Sequence, residues 1–206
     1  QLTATLPEGG IGGVSNVLAQ IRYEVSAEDL RQSVAGRMDL VGRSARARVI
    51  GVTPGDDRIF RVTAMDLTEV VTFAIVDTID IGVDTPQIVE LQLVRLSGSL
   101  ELTSNLPSEI TELEVHIDAR GDTLLRRYAI DGPLTERINE IPTGGDIDVV
   151  LRGYDAENQV LLQEVVKTDI RDDIVARIAL EVVGGFLHII ARFPEYIPIV
   201  AVDRFS

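Results

Sequence analysis

The sequence predicts an all-β fold of two tandem antiparallel β-sandwich repeats, followed by the opening strands of a third repeat. Short alternating segments are separated by turn residues at the spacing typical of sandwiches. The stretch from Ile141 to Ile170 copies, without a gap, a stretch that lies 89 residues upstream. The strand pattern also restarts at Gly98 and again at Gly185. A chain that repeats itself in this way is predicted to repeat its structure as well.

The two copies correspond most clearly at their turns and at the strands between them. The matching pairs are Thr143-Gly144 with Pro54-Gly55, Tyr154-Asp155 with Met65-Asp66, and Asp169-Ile170 with Asp80-Ile81. We therefore predict a first repeat over residues 1–97, a second over 98–184 and the start of a third over 185–206.

The first repeat contains a short strand closed by a proline, then five further segments of strand composition. Ser26 to Asp29 has the form of a capping box, which predicts a short helix or a turn. The predicted strands are Leu2–Leu6, Val17–Val25, Ala45–Val52, Ile59–Met65, Val70–Val76 and Ile88–Leu96.

The second repeat shows the same order of alternating segments. Ile110 to Asp118 alternates well, and Glu112, Glu114 and His116 face away from its apolar side. The predicted strands are Leu100–Leu106, Ile110–Asp118, Thr123–Ile130, Arg137–Ile141, Ile147–Tyr154, Val160–Ile170 and Ile174–Val182.

The third repeat stops after two apolar strands, and two strands alone are only marginally stable in water. Three alternatives stay open. The chain is a piece of a longer tandem array, the strands complete a sheet in a neighbouring molecule, or they pack back onto the second repeat. The residues predicted to form the assembly strands are Leu187, Ile189, Phe193, Ile197, Ile199 and Val200, with Leu2 and Leu6 as partners at the other end.

Composition excludes several classes of partner. The 206 residues carry a net charge of −14, with 33 acidic against 19 basic side chains, which opposes nucleic acid and anionic lipid surfaces. No apolar run is long enough to insert directly into a membrane. There is no cysteine, so disulfides and thiolate metal sites are excluded. The chain begins at Gln1, which favours an exported protein whose signal peptide or tag was removed.

No motif in the sequence predicts catalysis or a resident cofactor. There is no nucleophile elbow, no zinc-protease motif and no P-loop, so we predict that the protein is not an enzyme. Aspartates recur in the turns, and calcium is bound by clustered carboxylates. We therefore consider a calcium site at Asp169, Asp172 and Asp173, although aspartate also starts turns by bonding its own backbone.

The recurring frame resembles the tandem immunoglobulin-like or transthyretin-like modules of bacterial exported and surface-anchored proteins. The resemblance rests on Leu-Pro after the first strand, on Ile141 to Gly144, on Tyr154-Asp155-Ala156 and on Asp169-Ile170. Repeat one departs from it, with Met65 in place of the tyrosine.

Such modules serve as spacers, adhesive stalks or fibre subunits. The resemblance thus implies a non-enzymatic structural or adhesive protein at the cell surface, whose partners are itself or adjacent modules. The alternative is a carbohydrate-binding or other ligand-binding module of a larger surface protein, with a glycan as partner.

Overall fold

A computed structural model describes residues 1–7, 18–83, 86–119, 121–183, 186–192 and 199–204. Every regular element in these residues is a β-strand, which confirms the predicted all-β class. The chain divides into two compact units, Gln1–Leu96 (unit 1) and Ser97–Ser206 (unit 2). This boundary lies one residue from the predicted end of repeat one. The separate status of residues 185–206 stays a prediction.

The described residues of unit 1 form eight strands in one sheet, ordered β7-β1-β4-β3-β2-β5-β6-β8. Strand β3 joins the two halves, since Val34–Met38 pairs with β2 and Asp39–Val41 pairs with β4. Apolar residues from both halves pack into a single core. The strands are β1 Leu2–Thr5, β2 Leu18–Ser26, β3 Val34–Val41, β4 Ser44–Ala47, β5 Gly55–Asp66, β6 Val71–Ile81, β7 Val89–Gln92 and β8 Val94–Arg95.

Unit 2 contains two sheets that share a second core. One sheet has the order β11-β10-β13-β14 and the other has the order β12-β9-β15-β16-β17. The strands are β9 Ser97–Asn105, β10 Glu112–Ala119, β11 Asp122–Ala129, β12 Leu134–Pro142, β13 Gly144–Tyr154, β14 Val160–Ile170, β15 Val175–Val183, β16 Phe186–Arg192 and β17 Ile199–Arg204.

The register of the strands reproduces the 89-residue correspondence. Gly55 faces Ile81 in unit 1, and Gly144 faces Ile170 in unit 2. Both strand pairs shift register just after the glycine, where Asp57 and Asp146 each have a φ of 53°. The repeat read from the sequence is therefore a repeat of backbone geometry, including an irregular bulge that strand alternation alone does not predict.

The segment after Ser26 forms a turn, one of the two predicted alternatives, in which the Leu30 amide donates to the Ala27 carbonyl at 3.2 Å. Strand β3, Val34–Val41, was not predicted. The strand predicted over Ala45–Val52 is regular only over Ser44–Ala47. Among the described residues, 49–52 have no strand partner, so their β composition alone does not make them part of a ladder.

Candidate functional site: terminal strands and polar clusters

The C-terminal strands extend a sheet of unit 2. Strand β16 pairs antiparallel with β15, where Leu187 faces Val182 and Ile189 faces Leu180. Strand β17 pairs in turn with β16, where Ile199 faces Ala191 and Val200 faces Ile190. Within one chain, the described part of these strands thus packs back onto the second repeat. Phe193 and Ile197 lie outside the described residues.

Strand β17 is the last strand of its sheet. One of its edges is paired to β16, and the other has no strand partner within the part of the chain that the structure describes. An edge of this kind presents backbone N–H and C=O groups that a strand from another molecule can pair with. Joining a neighbour therefore does not require β16 and β17 to leave their own sheet.

Leu2 and Leu6 are core residues of unit 1. Each side chain is only 1% exposed. Leu2 lies in β1, which has β4 on one side and β7 on the other, so both of its edges are occupied. The Leu6 amide donates to the Arg43 carbonyl at 2.9 Å, and Arg43 Nη2 donates to the Leu6 carbonyl at 2.9 Å. In this structure both leucines stabilise their own sandwich.

Asp169 of the considered calcium site has a structural role. Its Oδ1 accepts a hydrogen bond from the Asp146 amide at 3.1 Å, and its Oδ2 lies 3.6 Å from Arg171 Nη2. Asp80 does the same in unit 1, where its Oδ1 accepts from the Asp57 amide at 2.9 Å. Each carboxylate thus holds the bulge across two strands, rather than a turn in its own segment.

No group of three or more acidic or histidine side chains in the described residues is arranged to hold a metal ion. Asp172 and Asp173 are exposed in the bend before β15. Calcium at Asp169, Asp172 and Asp173 stays a prediction. Binding through Asp169 Oδ1 would have to replace the hydrogen bond that this oxygen accepts from the Asp146 amide.

A charged cluster lies on the outer face of the four-stranded sheet of unit 2. Glu114 is 5% exposed because two arginines from neighbouring strands cover it. Arg127 Nε donates to Glu114 Oε2 at 2.9 Å, and Arg152 Nη1 donates to Glu114 Oε1 at 3.1 Å. The Arg127 guanidinium also lies 5.8 Å from the centre of the Tyr154 ring. Three strands, β10, β11 and β13, are thus tied together across their outward side.

Burial acts to raise the pKa of Glu114, but the hydrogen bonds and positive charges of Arg127 and Arg152 outweigh it, so the pKa lies below its ordinary value. A group whose pKa is lowered by folding stabilises the fold above its unfolded pKa, and this contribution is lost as the pH falls through the folded pKa. For Glu114 the loss begins near the ordinary value of 4.5 and continues below it.

Replacing Glu114 by glutamine is therefore expected to lower the free energy of unfolding by about 1–2 kcal/mol at pH 7. The difference from the unmodified protein should shrink as the pH falls below 4.5. Urea unfolding at pH 7 and at a series of pH values below 4.5 measures it. A difference that stays constant with pH would show that the charge of Glu114 does not stabilise unit 2.

Unit 1 buries a charge where unit 2 buries an isoleucine. Arg58 is 1% exposed, and the residue 89 positions later is Ile147, which is also 1% exposed. The Arg58 guanidinium forms a two-pronged ion pair with Asp29, through Nη1 to Oδ1 and through Nη2 to Oδ2 at 2.8 Å. Arg58 also donates to the carbonyls of Thr53 at 3.1 Å and Pro54 at 2.9 Å. The hydrogen bond from Arg58 holds the pKa of Asp29 below its usual range.

Sequence reasoning missed both charged groups. It predicted correctly that Glu114 faces outward, but the covering arginines become visible only when the register of three strands is known. A signal for Arg58 was present, because the 89-residue repeat aligns it with Ile147.

The described residues also contain no helix long and apolar enough to span a bilayer.

Comparisons with known proteins define no family for the chain. No protein family matches it, and no curated protein matches it in sequence. Among solved structures, the TIE protein of Bacillus anthracis aligns with 88% of this chain at 17% identity and a TM-score of 0.42. The chain spans only 33% of that protein.

Two further similar structures come from Bacteroides. A protein of Bacteroides ovatus provisionally assigned to cell adhesion aligns over 93% of this chain and 95% of its own length, at 13% identity and a TM-score of 0.36. A protein of Bacteroides fragilis with the same provisional assignment aligns over 91% and 84%, at 13% identity and a TM-score of 0.31. Likenesses at this level carry no conclusion about what this chain does.

Proposed function

We propose that the chain is a non-enzymatic structural and adhesive segment of an exported, surface-located protein, joined to neighbouring modules through its terminal β-strands. The observation that carries the proposal is the pair β16 and β17. Their sequence repeats the strand pattern that starts each repeat. In the structure, however, they extend the five-stranded sheet of unit 2, where β16 pairs with β15 and β17 pairs with β16. The outer edge of β17, which has no strand partner among the described residues, offers a ladder to the next module or to a second copy.

The chemistry of the two units supports a mechanical role. Several polar side chains hold strands and turns of their own unit together: Arg58 with Asp29, Glu114 with two arginines, and Asp80 and Asp169 with bulge amides. In each case the partners that we describe come from the same unit. Such internal links between strands suit a module that has to keep its shape.

Beads coated with the full chain test adhesion between copies. Pairing through the terminal strands predicts that such beads cluster with one another, whereas beads coated with a variant ending at Val183 stay dispersed. Clustering that is unchanged in the shortened variant would contradict the role of these strands. A glycan array probed with the same proteins tests the carbohydrate-binding alternative, which predicts selective retention of both versions on particular sugars.

A further inference from the structure

The outer face of the four-stranded sheet of unit 2 carries an exposed row of side chains beside its charged cluster. Strand pairing places one residue from each of its four strands side by side across this face: Leu125, His116, Val150 and Val165. We call these residues the central row. Leu125 is 50% exposed and Val165 is 56% exposed, and the two residues between them are half-buried. Three apolar side chains therefore line up on the side of the sheet that faces away from the core.

Unit 1 shows that the fold does not require an apolar row at this place. There the corresponding strands pair Glu24 with Arg61, and Arg61 with Val76. Arg61 and Val76 stand 89 residues before Val150 and Val165. Unit 1 thus has two exposed charges in the middle of its row, where unit 2 has a histidine and a valine. The apolar centre of the row belongs to unit 2 and not to the shared fold.

Charged rows of opposite sign flank the central row. Two residues away along the strands, on one side, lies a set that we call the basic row: Arg127, Glu114, Arg152 and Gln163. On the other side lies a set that we call the acidic row: Thr123, Asp118, Asp148 and Lys167. The basic row has two arginines against one glutamate, and the acidic row has two aspartates against one lysine.

The surface of the basic row is more positive than its composition alone indicates. Glu114 is buried beneath its two arginines, whereas the side chains of Arg127 and Arg152 are 53% and 37% exposed. In the acidic row, Asp118 is exposed, and about half of the Asp148 side chain is exposed. Solvent therefore meets guanidinium groups on one side of the central row and carboxylates on the other.

This arrangement of rows is complementary to a second copy of itself. Consider two copies that pack face to face around a two-fold axis along the central row. Each residue of the central row then meets its own counterpart, and each basic row meets the acidic row of the other copy. Arg152 lies opposite Asp148 of the second copy, and the same pair forms again on the other side of the axis. Glu114 faces Asp118 of the second copy, but the charge of Glu114 is already compensated by its own arginines.

The charge balance of this face also suits contact between copies. The chain carries a net charge of −14, so two copies repel each other overall. The three rows together contain three basic and three acidic side chains, and as a set they carry no net charge. A second copy that approaches this face therefore meets less repulsion than the whole chain produces.

The size of the face indicates how strong such a contact is. With strands about 4.8 Å apart and successive residues of one face about 6.8 Å apart, the three rows cover roughly 400 Å² on each copy. The total of roughly 800 Å² is smaller than the interface of a stable dimer. The contact is therefore weak between two free molecules, and it gains strength when several copies are held side by side.

We propose that the outer face of the four-stranded sheet of unit 2 is a lateral contact surface for a second copy of this chain. The apolar residues of the central row lie at the two-fold axis, and two Arg152–Asp148 ion pairs flank it. This inference goes beyond the proposed function, because it uses neither β16 nor β17. It adds contact between the sides of neighbouring copies to joining through terminal strands.

The test uses the absence of cysteine from the chain, since a single introduced thiol then reports a single contact. Val150→Cys places a thiol at the axis, opposite the same thiol of the second copy. Packed sheets are about 10 Å apart, which is too far for a direct disulfide, so a short bismaleimide joins the two thiols. Thr135→Cys is the matched control, because Thr135 is an exposed residue of β12 in the other sheet of unit 2.

In the full chain, Val150→Cys should give at least about tenfold more crosslinked dimer than Thr135→Cys, because only the first thiol is held near its counterpart. Denaturing gels measure the dimer, and circular dichroism checks that both variants fold. Equal amounts of dimer from the two variants would overturn the inference.

Two charge variants of the Val150→Cys protein test the pairing across the axis. Asp148→Lys alone and Arg152→Glu alone should each lose most of the crosslinking, because like charges then face each other. A mixture of the two variants should restore it. The unchanged Arg152 of one molecule then meets the unchanged Asp148 of the other, and the two introduced charges meet as well. A mixture that crosslinks no better than either variant alone would contradict the proposed arrangement.

Arg152 also binds Glu114, so the Arg152→Glu variant has to pass the same check of folding. If it does not fold, Asp148→Asn and Asp148→Lys form a series in which crosslinking should fall with each step in charge. Unchanged crosslinking across this series would contradict the ion pair with Arg152. None of these substitutions lies in β16 or β17, so the crosslinking result and the assembly of the terminal strands are measured separately.

Discussion

Replacing Ile147 by arginine is expected to lower the free energy of unfolding of unit 2 by at least about 4 kcal/mol, or to prevent unit 2 from folding. The position is the counterpart of Arg58, which is buried in unit 1. The difference lies in the partner. Arg58 is paired with Asp29, which lies in the seven-residue connection 27–33 between β2 and β3. In unit 2, the corresponding connection between β10 and β11 has only the two residues Arg120 and Gly121.

A buried guanidinium without a carboxylate partner loses its hydration and gains no charge pairing in return. Methionine at position 147 is the matched control, because it is close to isoleucine in volume and should cost less than about 1.5 kcal/mol. Urea unfolding, with hydrogen exchange to assign the transition to unit 2, measures both variants. If the arginine variant were as stable as the methionine variant, position 147 would tolerate a buried charge without a carboxylate partner.

Replacing Asp66 by alanine is expected to lower the free energy of unfolding of unit 1 by about 2–4 kcal/mol. Asp66 is fully buried. Its Oδ1 accepts hydrogen bonds from the Thr68 amide at 2.8 Å, the Thr68 hydroxyl at 2.6 Å and the Val70 amide at 3.0 Å. Truncation leaves these donors of the β5–β6 turn without that acceptor, in a turn where Glu69 already has a φ of 64°.

Two comparisons show whether burial sets the size of this effect. Asp155 holds the equivalent turn of unit 2, accepting from the Glu157 amide at 3.1 Å and the Gln159 amide at 2.7 Å, but it is only half-buried. We expect Asp155→Ala to cost about 1–2 kcal/mol. Asp66→Asn keeps an oxygen acceptor and should cost less than Asp66→Ala. Equal losses at Asp66 and Asp155 in urea unfolding would contradict the argument from burial.

The repeat was the most predictable feature of the molecule, because it recurs at residues whose backbone conformation is restricted. The Pro54-Gly55 and Thr143-Gly144 turns, Asp66 and Asp155 at the ends of β5 and β13, and Asp80 and Asp169 all recur at one spacing. These residues fix turns and a bulge, for which few substitutes exist. The alternating apolar residues between them then predicted the all-β class and most of the strands.

The polar clusters were less predictable, because they depend on which strands become neighbours. Glu114 meets Arg127 and Arg152 only through the order β11-β10-β13. The end of β4 shows the same dependence. Residues 49–52 have strand composition, but a strand needs a partner as well as a sequence. Strand propensity therefore overestimated the length of β4.

The most direct test of the proposed joining role compares assembly in solution for three proteins: the full chain, a variant ending at Arg192 and a variant ending at Val183. Light scattering and negative-stain microscopy measure their size, and circular dichroism checks that each one folds. The account predicts dimers or fibres for the full chain and monomers for the variant ending at Val183. The Arg192 variant, which keeps β16 but lacks β17, should also lose assembly if the edge of β17 makes the contact. Folded monomers in all three cases would contradict joining through the terminal strands.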